Sequence, residues 1–192
     1  MKIFKLVVFL LFCSLITKAQ VVSSGGGTGD WNDPNSWSPA IVPDETSGTI
    51  TIQAFHTITV TDVQSADELT VEGDGILNIA NSGGLTIVDG SGDDLTVAAA
   101  DFIFTFSDGI LNIQSGGELI NQGQISTPEL TFTVENGGQY THAQNGGTIP
   151  TVTWDVGSTV ELQAITSSLP SGIGQAFHNF NYNSTTQSAG VL

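Results

Sequence analysis

Beyond Lys18 this chain contains no lysine and no arginine; Lys2, Lys5 and Lys18 are its only such residues, against 19 Asp and Glu and a formal net charge of −16. Every acidic residue lies after Lys18, so the basic and acidic parts of the chain do not overlap. A surface without cations cannot neutralise phosphates, which excludes nucleic-acid partners and phosphate-cradling chemistry. It also withholds the Arg or Lys on which elimination of uronic acids relies. Sulfur is equally scarce: the single cysteine is Cys13 and the single methionine is Met1. Past that point there is no disulfide, no thiolate nucleophile and no thiolate ligand. A long apolar run is missing too. Residues 6–16 are apolar, short of the roughly 18 or more that a membrane span requires.

What the first residues do have is a positive start (Lys2, Lys5), that apolar stretch, and Thr17-Lys18-Ala19 before Gln20. Small residues at the −3 and −1 positions predict cleavage between Ala19 and Gln20, the pattern of a secretory signal peptide. Residues 1–19 are therefore expected to be a signal, leaving a secreted or cell-surface protein without a transmembrane span.

The remainder is rich in glycine and threonine. All 23 glycines lie beyond residue 20. Apolar residues alternate with Thr in short runs, such as Thr57-Ile58-Thr59-Val60, Leu69-Thr70-Val71, Leu95-Thr96-Val97, Phe102-Ile103-Phe104-Thr105-Phe106 and Leu130-Thr131-Phe132-Thr133-Val134. A period of two puts the apolar set on one face of a strand and the hydroxyls on the other. Ser-Gly-Gly and Asn-Gly-Gly groups between the runs supply tight turns. Asp74-Gly75-Ile76-Leu77-Asn78-Ile79 recurs as Asp108-Gly109-Ile110-Leu111-Asn112-Ile113, thirty-four positions on. Many short strands with a repeat predict an all-β right-handed parallel β-helix, each turn stacked on the last. A β-sandwich is the alternative. Residues 20–47, with a Gly-rich linker at 25–29 and Trp31 and Trp37 among turn formers, are expected to form a linker and N-terminal cap. The tryptophans would plug an open end, in preference to stacking on a sugar. Residues 48–192 are expected to be the repeats, cut off at the C-terminus.

Ala19-Gln20, Gly29-Asp30-Trp31, Ser36-Trp37, Val42-Pro43-Asp44, His56-Thr57-Ile58-Thr59-Val60 and Gly75-Ile76-Leu77-Asn78-Ile79 together resemble a known pattern. It is that of the N-terminal β-helical region of large secreted, adhesin-like surface proteins of the Bacteroidetes type, associated with type IX secretion. Phe177-His178-Asn179-Phe180-Asn181-Tyr182 is similar to the start of a further repeat in such proteins. The resemblance implies a non-catalytic surface scaffold that continues into further domains, with glycans or other surface proteins as partners.

Two other functions are open on the residues. One is a polysaccharide-degrading glycoside hydrolase, which needs two carboxylates about 5–9.5 Å apart. Gly92-Asp93-Asp94 resembles the Asp-Asp motif of β-helical polygalacturonases, but their Gly-His-Gly and Arg-x-Lys motifs are absent. A groove with such a pair beside Tyr140 or Trp154 would favour that reading. The other is ice binding through Thr-x-Thr pairs (Thr49/Thr51, Thr57/Thr59, Thr131/Thr133, Thr151/Thr153), against which the uneven spacing of the pairs counts. No catalytic or cofactor-binding residue is assigned. His56, His142 and His178 lack partners at ligand spacing, so a zinc site is not expected. Asp89, Asp93 and Asp94, as acids in a turn, are candidates for weak calcium binding and otherwise read as solvated turn formers.

Overall fold

The computed structural model describes residues 18–99, 107–128, 131–185 and 187. The expected strand at 102–106, Cys13 and nearly all of the signal lie outside them. Among the described residues there is no α-helix, and none is long and apolar enough to cross a membrane.

The fold is all-β, with three sheets of six strands. In stacking order the first sheet holds Trp37–Ser38, Val21–Ser23, Ile50–Ile52, Leu69–Val71, Leu95–Val97 and Ile125–Ser126. The second holds Thr28–Asp30, Thr57–Val60, Ile76–Ile79, Ile110–Ile113, Phe132–Val134 and Thr153–Trp154. The third holds Val63–Ala66, Gly84–Ile87, Glu118–Asn121, Gln139–His142, Thr159–Leu162 and Asn179–Tyr182. From residue 50 to 142 the chain visits first, second and third sheet in rotation. Among the described residues every strand pair is parallel except Val21–Ser23 with Trp37–Ser38. Such an arrangement is compatible with a solenoid. It does not provide the two antiparallel sheets of a sandwich.

Alternation within strands explains why these segments stack. In Thr57–Val60 the exposure runs half-buried, buried, half-buried, buried, and the same holds for Ile76–Ile79 and Thr159–Leu162. Successive layers place like residues over like: Ile58 over Leu77 and Leu111, Val60 over Ile79 and Ile113, Leu85 over Leu119. These side chains are 0 or 1 % exposed, and together they form the core. Transfer of such side chains out of water, about 1.5–3 kcal/mol each, is the main source of cohesion.

The 34-residue repeat is a single layer: Ile76, Leu77, Asn78 and Ile79 pair directly with Ile110, Leu111, Asn112 and Ile113. Other layers are shorter. In the third sheet Gly84 lies over Val63, Gln139 over Glu118 and Thr159 over Gln139, offsets of 21, 21 and 20. Part of the surplus of the long layer falls in the connection at 88–94, before Leu95–Val97. The described strands keep their register across layers of different length.

Part of the segment expected as a linker lies within the sheets. Val21–Ser23 pairs with Ile50–Ile52, and Thr28–Asp30 with Thr57–Val60, so 21–30 are part of the stack and the Gly-rich stretch is a turn within it. Gly25, Gly26 and Gly27 all have positive φ there, which glycine adopts without steric cost. Trp31 and Trp37 are 0 and 2 % exposed and meet edge to face with centroids 5.1 Å apart. The Nε1 of Trp31 donates to the Pro43 carbonyl (3.1 Å) and that of Trp37 to the Trp31 carbonyl (2.7 Å). Both rings are plugs, with no face free to stack on a sugar.

Candidate functional site

The structure separates the three turn acids. Asp89 and Asp93 are exposed, whereas Asp94 is 1 % exposed. Its Oδ1 accepts from the Gly90 backbone N–H (2.8 Å) and its Oδ2 from that of Gln124 (2.6 Å), one layer further on. Asp94 is thus a buried clip between layers rather than a solvated turn former. Among the described residues no three His, Cys, Asp or Glu side chains are arranged to hold a metal ion.

Asp30, Asp33 and His56 are likewise engaged in the scaffold. Asp30 accepts from the Asn32 N–H and the Thr61 hydroxyl, and Asp33 caps the turn Pro34–Ser36 through the Asn35 N–H. The Nδ1 of half-buried His56 lies 2.8 Å from the hydroxyl of Ser23, which also accepts from the Gln53 N–H. His178 is exposed. Ala19 and Gln20 are exposed, and the Ala19 carbonyl accepts from the Gly48 N–H.

The sequence reading missed a polar cluster inside the core. Tyr140, Asn121 and His142 are all fully buried. Asn121 donates to the Tyr140 hydroxyl (2.9 Å) and accepts from the Gly123 N–H, and His142 Nε2 lies 2.7 Å from the Gly146 carbonyl. Among the described residues His142 Nδ1 has no partner. Burial pushes the Tyr140 pKa up and that of His142 down, so both are held neutral. Only their inward register, His142 over Asn121, signals this cluster, and alternation does give that register once the strands are placed.

Tyr140 packs edge to face on Phe132 and on Trp154, and Trp154 on Phe177, with centroids 5.9, 6.2 and 5.0 Å apart. Tyr140 is fully buried, and the Nε1 of Trp154 donates to the Gln175 Oε1 (3.1 Å). The outward carboxylates of the third sheet are bound by neighbours. Glu118 accepts from Gln139 and Thr141, and Glu161 from Gln163 and Asn183. These donors hold the Glu161 pKa below its usual value, Gln163 foremost, opposite to the raised pKa of a glycosidase general acid.

One open cleft of about 500 Å³ is bordered by Asp93, Gln124, Ser126, Gln144 and Thr148. It lies where the first sheet stops at Ile125–Ser126 while the other two continue. Its walls are amides and hydroxyls with a single carboxylate, a set that suits neutral hydroxyl-bearing ligands.

The outward face of the second sheet differs from these regions. Thr57 lies over Thr28, with Ile76 and then Ile110 above. Beside it runs a second column of Asp30, Thr59, Asn78, Asn112, Thr133 and Thr153. Thr59, Thr133 and Thr153 thus share a column, with Asn78 and Asn112 between the first two, whereas Thr131 is buried, Thr151 lies outside the strands and Thr51 belongs to the first sheet. Among the described residues the hydroxyls of Thr57, Thr59, Thr133 and Thr153 make no hydrogen bond, whereas buried Thr131 donates to the Pro128 carbonyl.

Comparison of the chain with protein-family models, with curated proteins and with solved structures gave no match.

Proposed function

We propose that the three sheets close into a right-handed parallel β-helix, and that this is an exported, non-catalytic, acidic module serving as a scaffold or adhesive stalk at the cell surface. The observation that carries the reading is that the polar groups able to do chemistry are engaged in holding layers together. Asp94 clips one layer to the next, and Glu161 is kept ionised by Gln163 and Asn183. A hydrolase needs the reverse: a carboxyl kept protonated, facing a second one across a groove. Hydrogen bonds running along the stack, between successive parallel strands, favour a stiff rod over a hinged body.

Partners in this reading are glycans or other surface proteins. With no Arg or Lys beyond Lys18, anionic sugars find no counter-charge, so the glycans would be neutral and the polar cleft beside Ile125–Ser126 would receive them. An array of neutral and anionic glycans tests this, with product analysis of the same mixtures. Retention of neutral glycans without release of sugar is the expected result. Release of reducing ends by the purified chain would replace the scaffold with the hydrolase.

A further inference from the structure

We propose that the end of the stack at Asn179–Tyr182 is the contact through which two copies of this chain pair end to end. Among the described residues this strand is bonded on one side only, to Thr159–Leu162. In a parallel ladder alternate residues turn their backbone groups to opposite sides. The N–H groups of Asn179 and Asn183 donate to the Ser158 and Leu162 carbonyls, so those of Phe180 and Tyr182 face the open side. The other end of the stack is closed differently. Trp37–Ser38 runs antiparallel along Val21–Ser23, and the Ser65 hydroxyl on the edge strand Val63–Ala66 donates to Glu45.

The side chains at the open end are of core type. Phe180 stands over Val160, Tyr140 and Leu119, all fully buried, yet is itself 46 % exposed. It extends an aromatic series in which Trp154 meets Phe177 and Phe177 meets Phe180, with centroids 5.0 and 5.9 Å apart. Edge strands are ordinarily guarded against pairing by Lys, Pro or other charges. Asn179-Phe180-Asn181-Tyr182 carries none of these.

Charge selects the occupant. All 19 acids lie at or before Glu161, and residues 162–192 contain no Asp, Glu, Lys or Arg. Being covered by a further coil does not require this, because covered coils carry acids: Glu68, Glu72 and Asp74 in one, Glu118 and Glu135 in later ones. Meeting a second acidic copy does. Glu161 lies one strand below Asn181. With the two Asn179–Tyr182 strands paired antiparallel, the Glu161 rows of the two copies sit three strand spacings apart, about 14 Å. That exceeds the Debye length of about 8 Å at physiological salt, so their repulsion is screened. Acids in the end coil would instead face each other across one spacing of about 4.8 Å. Pairing a strand with its own copy is isologous and closes at a dimer. The end of a single coil is a small interface, which puts the dissociation constant at about 1–100 μM.

The inference uses this end alone and does not depend on the scaffold or glycan reading. The test is sedimentation of the purified chain across that concentration range, together with amide hydrogen exchange. The variants are Phe180→Asp, Phe180→Ser and, at the opposite edge of the same sheet, Val63→Asp, where Val63 is 81 % exposed. Circular dichroism confirms that each is folded. The expected result for the parent is a reversible monomer–dimer equilibrium, with the Phe180 and Tyr182 amides gaining protection as concentration rises. Phe180→Ser should dimerise about tenfold more weakly, as for loss of a central contact. Phe180→Asp should be monomeric, and Val63→Asp should dimerise like the parent. A parent that stays monomeric overturns the proposal, as does equal loss in Val63→Asp. An open-ended series of larger species also overturns it, since that is the product of head-to-tail contact. So does protection of the Phe180 and Tyr182 amides that is independent of concentration, which would assign the edge to cover by residues of the same chain.

Discussion

Asn112 donates from its Nδ2 to the Oδ1 of Asn78, 3.0 Å away in the adjacent layer, while Leu111 beside it lies buried directly over Leu77. Two neighbouring residues of one strand thus make the same vertical contact, one on the wet face and one in the core. The costs of breaking them differ accordingly. Asn112→Ala should lower the unfolding free energy by about 1 kcal/mol, the usual net value of a hydrogen bond whose partner returns to water. Leu111→Asp should cost about 3–5 kcal/mol or prevent folding, because a carboxylate there is buried without a partner. Urea titration of the two variants against the parent checks the ratio.

The tryptophan pair makes the N-terminal end a separate test of packing. Trp37→Ala removes a fully packed indole and its bond to the Trp31 carbonyl, and should cost about 3–5 kcal/mol. Trp37→Phe keeps most of the apolar contact with Trp31 and should cost less, leaving the Trp31 carbonyl without its donor. Thermal unfolding followed by circular dichroism separates the two. If the alanine variant melts as the parent does, the plug contributes nothing.

Much of this was legible from local pattern. Alternation of Thr with Ile, Val or Leu identified strands because burial on one face of a pleated strand demands it, and Ile58, Leu69 and Val134 are all buried as that predicts. The repeat at Asn78 and Asn112 marked adjacent layers. What alternation cannot carry is which strand lies over which when the connections vary in length, so the column of Thr59, Asn78, Asn112, Thr133 and Thr153 was not legible. Nor does it reveal the fate of a turn acid. Asp93 and Asp94 look alike in sequence, and only the approach of Gly90 and Gln124 buries the second.

That difference yields a prediction. Asp93→Asn should leave stability unchanged within about 0.5 kcal/mol, as for most exposed substitutions. Asp94→Asn should cost about 1–3 kcal/mol, since an amide has one acceptor oxygen for two backbone N–H groups and places its own NH₂ against the second. Both effects should be the same in calcium and in EDTA. A rise in the melting temperature of the parent on adding calcium, lost in Asp93→Asn, would instead indicate a bound cation.

His142 makes stability depend on pH in a definite direction. Its imidazole is fully buried, with Nε2 beside the Gly146 carbonyl and Nδ1 unpartnered among the described residues, and burial depresses its pKa below the ordinary 6.5. Above that value folded and unfolded chains both hold it neutral, so it adds no pH dependence. As pH falls below about 6.5 the unfolded chain takes up a proton that the folded chain refuses, and stability is lost at up to about 1.4 kcal/mol per pH unit until the folded-state pKa is reached. The adjacent titratable group, Tyr140, is neutral throughout this range and acts only in alkali. There its raised pKa makes stability fall once the unfolded tyrosine ionises, above about pH 10. Urea midpoints for the parent should therefore decline from pH 7 to pH 5, and His142→Phe, which removes the titrating ring, should flatten that decline. An equal slope in the variant would assign the acid sensitivity to the carboxylates, among them Glu161, whose lowered pKa predicts loss only at more acidic pH.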